Sequence, residues 1–152
     1  MPAFKPDKPK TADRGKAAEQ AVQTCLEELS AKRSTFDYLR LPDVRSAMGR
    51  MKAMPADFEF FAPLSHGLIE VKETEHNFRI SKDKVPQLPM MRKRVLAGGV
   101  CYLLVHHSTL KKWRAVPVQA LDPSVPSWDL TAWPLLDNAA KALDWLEYTH
   151  VG

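Results

Sequence analysis

The sequence predicts an α/β fold, a mixed sheet flanked by helices. Three observations lead there. Ala18, Val22, Cys25, Leu26 and Leu29 recur at helical spacing. Val100-Cys-Tyr-Leu-Leu-Val-His106 is a continuous apolar run, as in a strand covered on both faces. The order of elements along the chain is helix, strand, hairpin, helix, strand, strand, which suits a sheet with helices packed on it. A length of 152 residues, 45% of them hydrophobic and 26% charged, fits one globular domain with one good core.

Residues 1–13 hold Pro2, Pro6 and Pro9 among lysines and read as a disordered basic arm. Thr11 or Asp13 caps a helix from about Arg14 to Lys32. Phe36 to Leu41 alternates and reads as a strand ending at Pro42. Asp43 to Met54 has neither period and is expected to be a mobile basic loop. Residues 40–54 carry four positive charges against one negative, so Arg45, Arg50 and Lys52 are candidate DNA contacts. The plain alternative is a solvated loop.

The next stretch organises the chain. Phe58 to Phe61 and Gly67 to Lys72 are apolar strands, and Ala62-Pro-Leu-Ser-His-Gly67 between them carries turn residues at both ends. Side chains two apart on a strand share a face, so Glu70 and Lys72 emerge side by side with Ile69 and Val71 behind them. A hairpin centred near residue 64 or 65 sets Asp57 roughly opposite Lys72 and diagonal to Glu70, at about 5 Å and about 7 Å. Two carboxylates and a lysine around one point are what metal-assisted hydrolysis of a phosphodiester needs. Mg²⁺ (or Mn²⁺) takes oxygen ligands and keeps several waters. Asp57 and Glu70 would supply two oxygens and the carbonyl of Val71 a third. Lys72 would orient water or stabilise developing negative charge. Glu59 shares a face with Asp57 and reads as a rim residue. His66 and His76 read as surface or hydrogen-bonding residues rather than ligands.

Glu73 to Ser81 is expected as a loop. Its Arg79, and Lys84 just beyond it, are further candidate DNA contacts. A helix is expected from about Lys84 to Leu96. Pro86 suits its first turn, and Pro89 either shares that turn or delays the start. Gly98-Gly99 ends it. Trp113 to Val118 is a last strand, placed towards an edge by Pro117. Residues 121–136 are punctuated by prolines and aromatics, and Asp137 or Asn138 caps a helix to about Tyr148. Residues 119–152 thus read as a lid that packs Trp128, Trp133 and Trp145 on the sheet or on a second subunit.

Net charge is +4, unevenly spread. Residues 115–152 hold one basic and five acidic residues, or −4, leaving +8 on the rest. That asymmetry suggests an anionic partner for the body. No run of 18 apolar residues or secretory h-region occurs, so no membrane span is expected. Cys25 and Cys101 lie apart among apolar neighbours and read as free thiols, which suits a cytoplasmic location. No phosphate-binding loop, dinucleotide fingerprint, zinc spacing or repeat occurs.

Pro55-Ala-Asp57 followed by Glu70-Val-Lys72 resembles the P-D…(D/E)-x-K nuclease motif. Glu70-Val-Lys-Glu-Thr74 is similar to the E-x-K-E-T of RecU-type Holliday junction resolvases. Gln87-Leu88 stands about where that family opens a helix with Gln-Ile or Gln-Leu. Gly15-Lys-Ala-Ala-Glu19 resembles the G-x-x-x-E helix start of RecU and of archaeal resolvases. The likeness spans residues 14–118. It departs at Ala56 and in the loop before it, short beside the RecU stalk, where Arg45-Ser-Ala-Met-Gly-Arg50 looks more like the Arg-Ser loop of archaeal resolvases. The resemblance implies a restriction-endonuclease-like core with Asp57, Glu70 and Lys72 as catalytic residues. It also implies Glu19 near the metal and Gln87 facing the site. Branched DNA is the implied substrate and a symmetric homodimer the working form. Two other readings stay open: the same core acting on nicks, flaps or duplex, and a basic DNA-binding protein without catalysis.

Overall fold

The computed structural model describes residues 11–42 and 54–148. Arg45, Arg50 and Lys52 lie outside the described residues. In chain order the elements are α1 (Thr11–Lys32), β1 (Asp37–Arg40), β2 (Phe58–Ala62), β3 (Ser65–Thr74), β4 (Arg79–Ser81), α2 (Leu88–Leu96), β5 (Val100–His107), β6 (Lys112–Pro117), β7 (Ser127–Asp129), α3 (Ala139–Ala142) and α4 (Trp145–Tyr148). A five-stranded sheet runs β1-β2-β3-β5-β6. It is mixed: β3 and β5 are parallel and the other neighbours antiparallel. Among the described residues no helix is long and apolar enough to cross a membrane.

The helical stripe of α1 decides one face. Ala18, Val22 and Leu26 are buried against Phe58, Phe60, Ile69, Val71 and Leu104, with the segment from α3 to α4 adding Ala142, Leu143 and Leu146. On the other face α2 buries Leu88 and Met91 against Leu68, Leu103 and Val105. Each such buried aliphatic side chain contributes roughly 1.5–3 kcal/mol. With both faces covered, β3 and β5 must be apolar along their whole length, so a charged residue inside β3 stands out.

Two backbone features fix the register of β3. Ala62 pairs with Ser65, so the hairpin closes on Pro63 and Leu64 alone. Leu64 takes φ 59°, with its side chain in solvent. The turn thus falls slightly earlier than the expected centre near residue 64 or 65. With Phe58 paired to Ile69, one further step brings Asp57 opposite Glu70, not Lys72. On the other side Gly67 lies against Val100, and a Cβ there would stand 1.5 Å from the Val100 carbonyl oxygen. Only glycine lets the parallel pair begin at that point.

The crossover from β3 to β5 differs from expectation in two ways. Residues 79–81 are not loop: β4 pairs antiparallel with β7 because Ile80 and Trp128 bury together in the second core. The helix expected from Lys84 splits. Lys82–Lys84 forms a 3-10 turn, Val85 leaves helical geometry before Pro86, and α2 opens at Leu88 with Pro89 in its first turn. Ala97 caps it, and Gly98 turns out at φ 101°.

The strand with Pro117 is at the sheet edge, as its proline requires. Its exposed side is not bare, since Trp113 and Leu136 exchange backbone hydrogen bonds of 2.8 and 2.7 Å. The single C-terminal helix expected from Asp137 or Asn138 is broken at Leu143-Asp144. Asn138 caps α3 by accepting from the Lys141 N–H, and α4 carries Trp145 onto Tyr102 (stacked, 3.9 Å) and Phe60 (edge-on, 5.6 Å).

Candidate active site

The site forms where β2 stops and β3 continues. The pairing of β2 ends at Phe58, which leaves the β2-side edge of β3 open from residue 70 onward. Asp57 fills the first vacant ladder position with a side chain: its Oδ2 accepts the Val71 N–H at 2.8 Å. In a strand the N–H and C=O of one residue point to the same edge. The Val71 carbonyl therefore faces the side that holds Asp57.

Glu70 does not emerge as the strand pattern suggested. It is 1% exposed, and its Oε2 is buried with no hydrogen-bond donor. Its carboxylate faces that of Asp57, and its pKa is raised well above the usual range. Burial is the largest cause and the neighbouring Asp57 the next, while Lys72 opposes both. Two facing carboxylates with no donor between them require a proton or a cation there. Lys72, on the Glu70 face of β3, is half-buried, and its side chain makes no hydrogen bond or ion pair among the described residues.

Glu19 reaches the same place from α1. Its carboxyl is also pushed up, first by burial and then by the charge of Asp57; Arg40 and Lys72 pull it down. The structure therefore brings Glu19, Asp57, Glu70 and Lys72 together. Gln87 precedes α2 with its Oε1 buried and unpartnered, and no hydrogen bond links it to those four. Lys84 lies near the far end of β3, its Nζ 3.5 Å from the Glu73 carbonyl. Arg79 is engaged elsewhere: it donates to Ser127 Oγ at 2.9 Å and approaches Asp129, across the β4–β7 pair. Glu59 faces Arg94 of α2 at 3.8 Å.

A hard divalent cation fits this donor set. Among the described residues no three His, Cys, Asp or Glu side chains are grouped so as to hold a metal ion. Asp57 and Glu70 with the Val71 carbonyl make instead an open, all-oxygen set, the kind Mg²⁺ takes while keeping waters. The orphaned Glu70 oxygen is the observation that carries the fit.

One group was missed in the sequence. Arg40, at the end of β1, donates from Nη2 to Glu19 Oε2 at 2.9 Å and from Nη1 to Gln23 Oε1 at 2.6 Å. The available signal was Glu19 and Gln23, four apart and so on one helix face.

A mixed five-stranded sheet with helices on both faces and carboxylates at the outrunning edge of its central strand is the restriction-endonuclease-like α/β fold. No family profile and no curated protein matches the chain. Among solved structures, the chain is similar to Archaeoglobus fulgidus Hjc, described as a Holliday junction resolvase from an archaeal hyperthermophile. The two are 23% identical, with a TM-score of 0.51, over 83% of this chain and 98% of the other. At that identity the likeness establishes the fold.

Proposed function

We propose that this protein is a metal-dependent, structure-specific DNA endonuclease that resolves four-way junctions. The observation that carries the reading is the buried Glu70 carboxylate facing Asp57 with Lys72 beside it. An unpaired carboxylate inside a core strand destabilises the fold and is accounted for by a ligand. The shared fold with Hjc and the basic character of the chain outside its last segment support DNA as the substrate.

When bound, Mg²⁺ or Mn²⁺ supplies positive charge at the scissile phosphate and acidifies water. Asp57, Glu70 and the Val71 carbonyl would hold it. The chain's own residues do the rest. The Val71 N–H fixes the Asp57 carboxylate, and the sheet fixes that of Glu70. Lys72 brings an ammonium without a partner among the described residues to the Glu70 face, where it stabilises charge developing on phosphate oxygens or holds the attacking water. Glu19 sets the local charge. Lys84, and Arg45, Arg50 and Lys52, are proposed to hold phosphates; the pairing of Arg79 with Ser127 and Asp129 argues for a structural part instead. One such site per chain makes one cut, so paired cuts across a junction call for two chains about a two-fold axis.

The test is incubation with Mg²⁺ and labelled junction, flap and linear DNA, alongside Asp57→Ala and Glu70→Ala. Symmetric cuts in the junction, lost in both variants, are expected. Equal cutting of all three substrates would leave a nuclease but not a resolvase. No cutting, or full activity in Asp57→Ala, would overturn the assignment.

A further inference from the structure

We infer that Arg40 is a positioning residue of this site, the clamp that fixes Glu19 against the paired carboxylates. Its guanidinium uses both terminal nitrogens on α1, one on Glu19 and one on Gln23, and lies over the Phe58 ring at 5.5 Å. Two acceptors one helical turn apart match the planar fork of an arginine, whose fixed spread of donors a lysine ammonium lacks. The backbone of the same strand end is bound to the other half of the site. Arg40 pairs with Phe58, and the next residue, Leu41, donates its N–H to the Asp57 carbonyl at 2.8 Å. Thus one short segment, Arg40-Leu41, ties the Glu19 side chain to the Asp57 backbone.

The clamp is needed because Glu19 sits in an unfavourable place. It is half-buried and repelled by Asp57, and among the described residues Lys72 also offsets this. Without Arg40 its carboxylate gains by turning along α1 towards solvent. Arg40 is itself partly exposed, 42% by side chain, so an alternative part as a direct phosphate contact must be separated from the clamp.

This inference rests in part on the nuclease reading, and the experiment separates the two. Arg40→Ala, Arg40→Lys, Glu19→Gln and the double variant Arg40→Ala/Glu19→Gln are compared. In metal-free melting the single effects of R40A and E19Q are expected to be non-additive; additivity would overturn the inference whether or not the protein cuts DNA. In melting titrated with Mn²⁺, R40K and R40A are expected to raise the half-saturating concentration roughly tenfold or more. In cleavage, both lower kcat about tenfold or more and leave KM for DNA near that of the unaltered protein, and R40A adds nothing once Glu19 is Gln. A phosphate contact would give the reverse, a raised KM and a flatter salt dependence with kcat intact, persisting in the E19Q background, and would overturn the clamp. Should R40A fail to fold, R40K carries the comparison. Absence of cleavage in the unaltered protein counts against the nuclease reading alone, and the metal-free cycle still decides the clamp.

Discussion

Replacing Glu70 by glutamine separates what this residue does for stability from what it does for the site. The side chain is 1% exposed, one oxygen has no donor, and burial together with Asp57 pushes its pKa up. A carboxyl raised in this way contributes stability below its unfolded pKa, near the ordinary glutamate value of 4.5, where it is protonated in both states. That contribution is lost as pH rises through the folded pKa. Glu70→Gln removes the charge and keeps the shape. In EDTA at pH 8 it is expected to be more stable than the unaltered protein by about 1–3 kcal/mol, the desolvation cost of an unpaired buried group. For a chain of this size that is a rise of roughly 2–12 °C in Tm. The advantage should shrink as the pH approaches 4.5. Divalent ions should reverse the order. At a thousand times its dissociation constant an ion stabilises the native state by about 4.1 kcal/mol, more than that advantage, in the unaltered protein and not in the variant. Thermal melts from pH 4.5 to 8.5, with EDTA or Mn²⁺, read both effects. A Glu70→Gln protein that is less stable in EDTA at pH 8, or still raised by Mn²⁺, would refute the account of the buried carboxylate.

Lys72→Met should lower kcat roughly 10²–10³-fold while junction binding, read by gel shift in Ca²⁺, stays nearly intact. Alanine at Arg45, Arg50 and Lys52 together should flatten the salt dependence of binding by about 0.9 in log–log slope for each phosphate no longer neutralised; an unchanged slope would return that loop to an ordinary solvated surface. Light scattering at micromolar concentration should give twice the chain mass, and a monomer with and without junction DNA would argue against paired cuts by one assembly. His107 is fully buried, with Nδ1 on the His76 carbonyl at 2.6 Å and Nε2 facing Arg114 at 2.9 Å; burial lowers its pKa, so it is neutral with the proton on Nδ1. A histidine depressed below 6.5 supports the fold above that pH and withdraws support as pH falls through its folded pKa. His107→Gln, which can keep both bonds, should therefore show a shallower loss of melting temperature from pH 7 to 5; identical slopes would refute this.

The site was legible where a short-range period sets it. Glu70 and Lys72 share a face because strands alternate, and Asp57 joins them because a hairpin folds the chain back. The hairpin's exact centre was not legible. Ala62 to Gly67 offers several two-residue turns, and the one taken puts Leu64 at positive φ, a choice leucine does not announce. The strands β4 and β7 are three residues each, too short for any alternation, and exist because Ile80 and Trp128 meet in a core drawn from distant segments. The buried Arg114 was invisible for a similar reason. Its partners are the carbonyls of Asn77 and Trp133 and the ring of His107, and no local pattern marks a charge that will be enclosed by backbone oxygens. Arg40 reads in the sequence as one more basic residue near the loop; its place against Glu19 and Gln23 needs the packing of β1 on α1.

The parallel pairing of β3 with β5 also orders events in time. The β2–β3 hairpin closes over two residues and can form on its own within about 1–10 μs. At that stage Asp57 and Glu70 already lie opposite each other, but both are in water, where two carboxylates repel only weakly. Glu70 is enclosed later, when Leu103 takes its place beside it, and this must wait for the whole crossover through residues 75–99. On a ribosome, no burial penalty is felt until β5 has emerged. The unfavourable step of folding then falls at the end, when the rest of the sheet is present to offset it.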